Sequence, residues 1–274
     1  MRIRAHQWSF IQSLRDLKNQ KDVLFSFIRR DIKVRYVQTR LGFLWAFAQP
    51  LLSVWIFTFL FKKVLNVPMG GVNYPIFAFA GVISWSYFSK SITTGGQSMI
   101  ASQALIKKVW FPKVLLPLSK SLVGLVDWIL GLVVLIALTL GTTDFQIDLM
   151  TLGYIITSLV ILWMTSIGWS LWVSATSIRF RDVQQVIPVA IQLGFFITPV
   201  VVPTDLLLNA LPQSLHPWIY LNPLVGGMEV LRAGFLPTSI SEYCLYISAP
   251  MALILSLSGW IYFSSVERKM PDWL

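Results

Sequence analysis

Two charged side chains, Lys90 and Asp127, stand alone inside long apolar stretches of the sequence. A lone charge in hydrocarbon costs roughly 2.5–3.5 kcal/mol even on the mildest insertion scale, so each must pair, reach water or lose its charge. Lys90 lies eighteen residues before Lys108, and Asp127 eighteen after Val109. If the chain turns back between Lys108 and Val109, helices rising at about 1.5 Å per residue carry the two groups to one depth, where they can neutralise each other. The other outcome is that Lys90 snorkels to water while Asp127 is protonated or hydrogen-bonded to a serine. Elsewhere the reactive side chains are scattered. His6, His216 and Cys244 have no companions at metal-ligand or redox spacing, and no H-E-x-x-H or C-x-x-C occurs. No glycine is followed by lysine, which removes the G-x-x-x-x-G-K-[ST] phosphate loop, and no local spacing suggests a Ser, His and Asp set. The chain therefore reads as a non-enzyme with no catalytic residues and no cofactor or metal of its own.

The elements that position these groups follow from composition. Of the 274 residues, 55% are hydrophobic and only 12% charged, a balance unlike that of soluble domains. A bilayer core about 30 Å thick takes roughly 20 apolar residues per helical crossing. Six crossings fit, near 41–61, 74–101, 119–141, 151–178, 184–203 and 243–265. The expected fold is an all-α integral membrane protein: amphipathic interfacial helices over 1–40, a six-helix transmembrane domain over 41–265, and a cytoplasmic tail over 266–274. The second crossing turns polar through "SKSITTGGQS", so its lower half must face protein. Lys and Arg then set the orientation, because they collect in short cytoplasmic segments. The first forty residues hold ten of them, and the connections near 102–118 and 179–183 and the tail add more. The connection at 142–150 has two aspartates and no cation, and 204–242 has only Arg232, so these face outward and both termini are expected to be cytoplasmic. The net charge of +10 thus sits beside the membrane spans. Nucleic acid is not the expected partner.

Finer features fall on these elements. Residues 5–18 and 22–37 read as amphipathic helices; in the second, Leu24, Phe27, Ile28, Ile32 and Tyr36 recur at helical spacing beside a basic face. Such a helix anchors in the membrane interface, or guides an anionic lipid-linked substrate. Ser166, Ser170 and Ser174 repeat at four-residue intervals, a pattern that lets helices approach closely within one subunit or across a dimer seam. Pro50 interrupts the first crossing and Pro188 the fifth. The outer segment is too apolar for a solvated loop and reads as re-entrant short helices broken at Asn222-Pro223 and Gly226-Gly227. On the second of these, Glu229 and Arg232 are three apart and can pair, or serve at the exit of a pore.

Taken in order, "RRDIKVRYVQTRLGFLWAFAQPLL", "FAGVISWSYFSKSI", "ALIKKVWFPKVLLPLSK", "IRFRDVQQVIP", "ITPVVVP" and "LNPLVGGMEVLRAG" resemble the motifs of permease subunits of type-2 ABC exporters of cell-surface polysaccharide, the group that moves O-antigen, capsule and wall teichoic acid. Only the tail, "VERKMPDWL", departs from the usual ending. The resemblance implies a multi-pass protein of the bacterial cytoplasmic (inner) membrane that pairs as a homodimer around a channel. It also implies two copies of a separate P-loop ATPase beneath, which would hold Mg-ATP, and a lipid-linked polysaccharide as substrate. It assigns Ile106, Lys107, Lys108, Val109, Trp110, Phe111 and Pro112 to a coupling helix on the ATPase, with Trp110 and Phe111 exposed to the cytosol; the other possibility is that both rings insert among headgroups. A lipid pyrophosphate would need cations at the inner access route, which Arg29, Arg30, Lys33, Arg35 and Arg40 can supply. Trp45, Trp55, Trp85, Tyr87, Phe88 and Lys90 are the expected channel-lining residues, aromatic rings being suited to sugar faces. The competing classes are a secondary transporter, which would need more intramembrane charge and an internal repeat, and an ABC permease for a non-glycan lipid.

Overall fold

The computed structural model of the chain describes residues 20–37, 42–60, 72–142, 147–267 and Met270. The amphipathic segment 5–18, Arg40, Lys62, Lys63, Arg268 and Lys269 lie outside the described residues, as does the side chain of Trp45. No strand occurs among the described residues. Helix α1 (Lys21–Ile32) continues into a π-helical turn, Lys33–Val37. It is followed by α2 (Gly42–Thr58), α3 (Tyr74–Ala101), the short α4 (Gln103–Ile106), α5 (Leu115–Thr142), α6 (Leu149–Arg179) and α7 (Val183–Ile197). The segment 204–242 holds α8 (Thr204–Ala210), α9 (His216–Ile219) and α10 (Pro223–Ala233), and a π-helical turn, Cys244–Ser248, leads into α11 (Ala249–Val266).

Local chemistry explains the boundaries. Proline occupies the first turn of α3, α9, α10 and α11, where its missing N–H costs nothing. Asp148 caps α6, accepting from the Thr151 N–H at 2.7 Å and its hydroxyl at 2.8 Å, and these bonds hold its carboxyl below the usual carboxylate range. Helix α7 stops at Ile197 because Thr198, preceding Pro199, takes an extended conformation. Among the described residues, three helices are long and apolar enough to cross a membrane: Leu115–Gly141, Leu149–Arg179 and Cys244–Val266. Two further apolar helices are shorter, α2 with 17 residues and α7 with 15, and each carries a proline inside, Pro50 and Pro188. Helix α3 has 28 residues but is the central, enclosed element, packed against α2, α5, α6, α7 and α10.

Small residues set the close approaches. A Cβ at Gly95 would overlap the Ser170 hydroxyl, and one at Gly96 would overlap Val173, so the buried serine face of α6 packs on the polar half of α3 within one chain. Ser170 and Ser174 are buried there. Where α6 meets α11, Gly168 and Gly259 face each other, and a Cβ at Gly168 would lie 2.8 Å from the backbone of Leu255. Gly226 and Gly227 do not break α10, as the sequence had suggested. The helix runs through them, and they remove the side chains that would strike Ser248 and Leu162.

Candidate functional site

Asp127, in the first half of α5, gathers three partners. Lys90 Nζ from α3 lies 3.3 Å from its Oδ2, and Arg35 pairs with the same oxygen. The Tyr36 hydroxyl donates to Oδ1. Equal residue counts from the turn thus place Lys90 and Asp127 in contact, while the other two partners arrive from the amino-terminal helix, 91 residues away for Tyr36. A second ion pair, Asp31 with Lys120 at 2.8 Å, joins α1 to the start of α5. The apolar stripe of α1 is turned to the protein: Phe27 is buried and meets Phe111 edge-on, with ring centroids 5.5 Å apart. Arg29, Arg30 and Lys33 remain exposed on the opposite face, and Arg30 also lies over the Phe27 ring and pairs with Asp31. Of the basic residues assigned to a headgroup, Arg35 is therefore committed to Asp127.

The turn between α3 and α5 corrects another expectation. Trp110 is 75% exposed and Val109 projects beside it, but Phe111 is 6% exposed and Pro112 is buried. One ring therefore faces out while the other enters the core of Phe27, Met99, Val114 and Leu115. Ile106, Lys107, Lys108, Trp110 and Lys113 edge an open concavity there of about 320 Å³. The tail, which carried no assigned role, closes the base of this turn. Glu267 is buried and accepts from the Lys113 N–H at 2.7 Å, and Lys113 Nζ donates to the Glu267 carbonyl at 3.0 Å. Burial lowers the Lys113 pKa, and the Glu267 charge opposes that shift.

Three aromatics expected along a channel are instead core residues of the chain. Tyr87 is 1% exposed and shares a hydrogen bond with Ser121 on α5 at 3.1 Å. Trp85 and Phe88 pack on each other, and Trp85 also meets Phe195 of α7. The cause is the position of α3, whose apolar half is enclosed by its neighbours. Trp55 on α2 is exposed and stacks on Phe59.

At the opposite end Glu229 and Arg232 do not pair with each other, which was one of the two roles open to them in the sequence. The Arg232 guanidinium, 2% exposed, turns inward over the Phe77 ring at 3.7 Å. It donates to the carbonyls of Pro199 at 3.0 Å and Val200 at 2.5 Å, groups in the non-helical turn after α7 that need donors once buried. Gly81 makes room for this, since a Cβ there would overlap the Val200 carbonyl. Glu229 accepts instead from the Tyr220 hydroxyl at 3.1 Å and the Cys244 thiol at 3.0 Å. Asn222 caps α10 through the Leu224 N–H, with Pro223 in the first turn, and donates to Thr198 at 2.9 Å. Glu229 and Arg232 line a recess of about 490 Å³ between the start of α3 and the segment 204–242. The sequence signal for Arg232 was its isolation as a cation in 204–242; its true partners, backbone carbonyls, carry no residue-type signal.

The family model described as ABC-2 type transporter matches residues 22–236. The O-antigen export system permease protein RfbA of Myxococcus xanthus is 30% identical over 262 residues, covering 94% of this chain and 98% of its own. The polysialic acid transport protein KpsM of Escherichia coli is 22% identical over 252 residues, 92% of this chain and 96% of its own. The capsule polysaccharide export inner-membrane protein CtrC of Neisseria meningitidis serogroup A is 24% identical over 245 residues, 87% of each chain.

Proposed function

The chain belongs to the ABC-2 type transporter family, and from that premise we propose that it is the membrane subunit of an ATP-driven exporter of lipid-linked cell-surface polysaccharide in the bacterial inner membrane. The observation that carries this reading is its near end-to-end similarity to permeases named for O-antigen and capsule export. ATP is hydrolysed by a separate P-loop ATPase, two copies of which hold Mg-ATP beneath two copies of this chain. In this reading α2, α3, α5, α6, α7 and α11 are the six crossings, both termini are cytoplasmic, and α8 to α10 form the outer re-entrant segment. Trp110 is the docking side chain, its exposure on a basic turn being otherwise an unsupported aromatic surface. Arg29, Arg30 and Lys33 face outward from α1, as a pyrophosphate reader requires. Asp127 fixes that helix in place. The test is reconstitution of the chain with its ATPase in sealed vesicles. Lipid-linked polysaccharide should cross only with ATP and both subunits. Transport by this chain alone, driven without ATP, would overturn the reading.

A further inference from the structure

Helix α11 is tied at one end to the turn before α5 and at the other to the segment 204–242. At its foot Glu267 is 4% exposed; its carboxylate accepts from the Lys113 N–H at 2.7 Å, and its carbonyl accepts from Lys113 Nζ at 3.0 Å. Met270, just beyond, is buried in the core that also takes Phe27 and Phe111. At the head of the helix the Ser248 hydroxyl donates to the Tyr220 carbonyl at 2.8 Å and the Cys244 thiol to Glu229 at 3.0 Å, while Gly226 lets α10 close on Ser248. Between these joints Cys244–Val266 runs for 23 residues, which at the rise of an α-helix is about 35 Å. The helix is also fixed sideways. Gly168 and Gly259 bring α6 and α11 backbone against backbone, and Trp172 stacks on Tyr262 with ring centroids 4.1 Å apart.

Apolar packing is non-directional and tolerates sliding, whereas a hydrogen bond weakens steeply once its angle is lost. The Glu267 bonds are therefore the place where the turn can push on α11 instead of slipping past it. The same turn carries Trp110, the docking side chain of the export reading. We propose that Glu267 is a positioning residue of the transport cycle, making α11 a strut that transmits displacement of the ATPase-docking turn to the segment 204–242. The inference rests on the export reading and adds to it the route by which the two ends of the molecule communicate.

The chain and its ATPase are reconstituted in sealed vesicles with lipid-linked polysaccharide extracted from the source cells. Glycan moved per ATP hydrolysed is measured beside ATPase capture and thermal midpoint. Glu267→Met, which removes the side-chain acceptor and keeps the apolar length, should cut that ratio roughly tenfold or more, as loss of a hydrogen bond to a charged group implies. ATPase capture should persist, because Trp110 is untouched. Glu267→Gln still offers an oxygen to the Lys113 N–H, and should keep the ratio within about twofold. Ser248→Ala, at the far end of α11, should lower the ratio in the same sense, and it tests the strut should Glu267→Met fail to assemble. Sites so far apart normally act independently. In one strut they act in series, so the double variant Ser248→Ala/Glu267→Met should be no worse than Glu267→Met alone. A multiplicative fall in the double variant, an unchanged ratio in both single variants, or a ratio that falls only in step with ATPase capture would each overturn the proposal. Wild-type transport with variants that keep its ratio removes the strut alone, whereas a wild-type chain with no ATP-driven transport removes the export reading and the strut with it.

Discussion

Asp127 is the residue on which the α1 end of the molecule depends, because one carboxylate serves Lys90, Arg35 and Tyr36 at once. Removing one partner of a fully buried pair costs about 3–5 kcal/mol, and of an exposed pair at most about 1. With side-chain exposures of 10%, 32% and 29% for Asp127, Arg35 and Lys90, Asp127→Asn should cost an intermediate amount, about 1–3 kcal/mol. It should also release α1, read as faster tryptic cleavage at Arg29, Arg30 and Lys33. Lys90→Met should leave α1 docked, since Arg35 still holds the carboxylate. Equal protection in both variants would remove the hub. A charge swap between Lys90 and Asp127 should rescue only in part, because Arg35 then faces a lysine. Here the sequence was legible for one contact of three: equal residue counts from a turn set the depth of Lys90 and Asp127, whereas nothing local connects Tyr36 to them. The same limit governs Trp110 and Phe111, which are indistinguishable by composition. Phe111→Ala should lower stability by about 3–5 kcal/mol, the usual cost of emptying a buried aromatic site. Trp110→Ala should leave the melt unchanged while weakening ATPase capture by about 2 kcal/mol, roughly thirty-fold. Pull-down and thermal melting of the two variants separate these outcomes, and reversed results would reassign the rings.

Helices were readable as elements because apolar length and proline punctuation are local properties. The reading of 74–101 as one helix coincides with α3, and its polar lower half does face protein. Ends were less legible where tertiary contact decides. Gly226-Gly227 looked like a break because glycine weakens helices in isolation, yet the pair exists to let α10 lie against Leu162 and Ser248. Glycine therefore divides into two kinds along these helices. At Gly81, Gly95 and Gly168 a new Cβ meets a carbonyl, a serine or backbone. Alanine there should destabilise by about 1–3 kcal/mol through overpacking. Gly141, near the end of α5, has open space around the same position. Gly141→Ala should be neutral or stabilise by up to about 1 kcal/mol through helix propensity. Tryptophan fluorescence melts in detergent would rank the four. A Gly81→Ala protein as stable as Gly141→Ala would show that the Arg232 turn is looser than the packing around it implies.

The whole molecule is polarised in charge and uneven in cover. One end carries α1, the Lys107-Lys108 turn and the Glu267 contact, while the other exposes Asp148 and Asp205 and keeps its Arg232 buried. That asymmetry is the physical basis of the proposed orientation, with α1 on the cytoplasmic side. Cover is thinnest along α2 and α7, which touch through Phe57 and Phe195, ring centroids 5.8 Å apart. Helix α7 buries none of its residues, exposing Val186, Val189, Leu193 and Phe196, while α2 exposes Leu52 and Trp55. Lipid is a poor occupant for this face. Helix α7, at 15 residues and about 1.5 Å per residue, is shorter than a core about 30 Å thick unless the non-helical turn after it is counted. Both helices hold a proline, and broken helices persist in membranes where they border protein or a watered cavity. The face formed by α2 and α7 should therefore meet a second copy of the chain. The outward side of α11, where Ile254 is 56% exposed on a helix long enough to cross, should meet lipid. With the buried Cys244 replaced by serine, Leu193→Cys should crosslink to its copy under mild oxidation, and Ile254→Cys should not. Crosslinking through Ile254 alone would move the seam to the other side of the molecule.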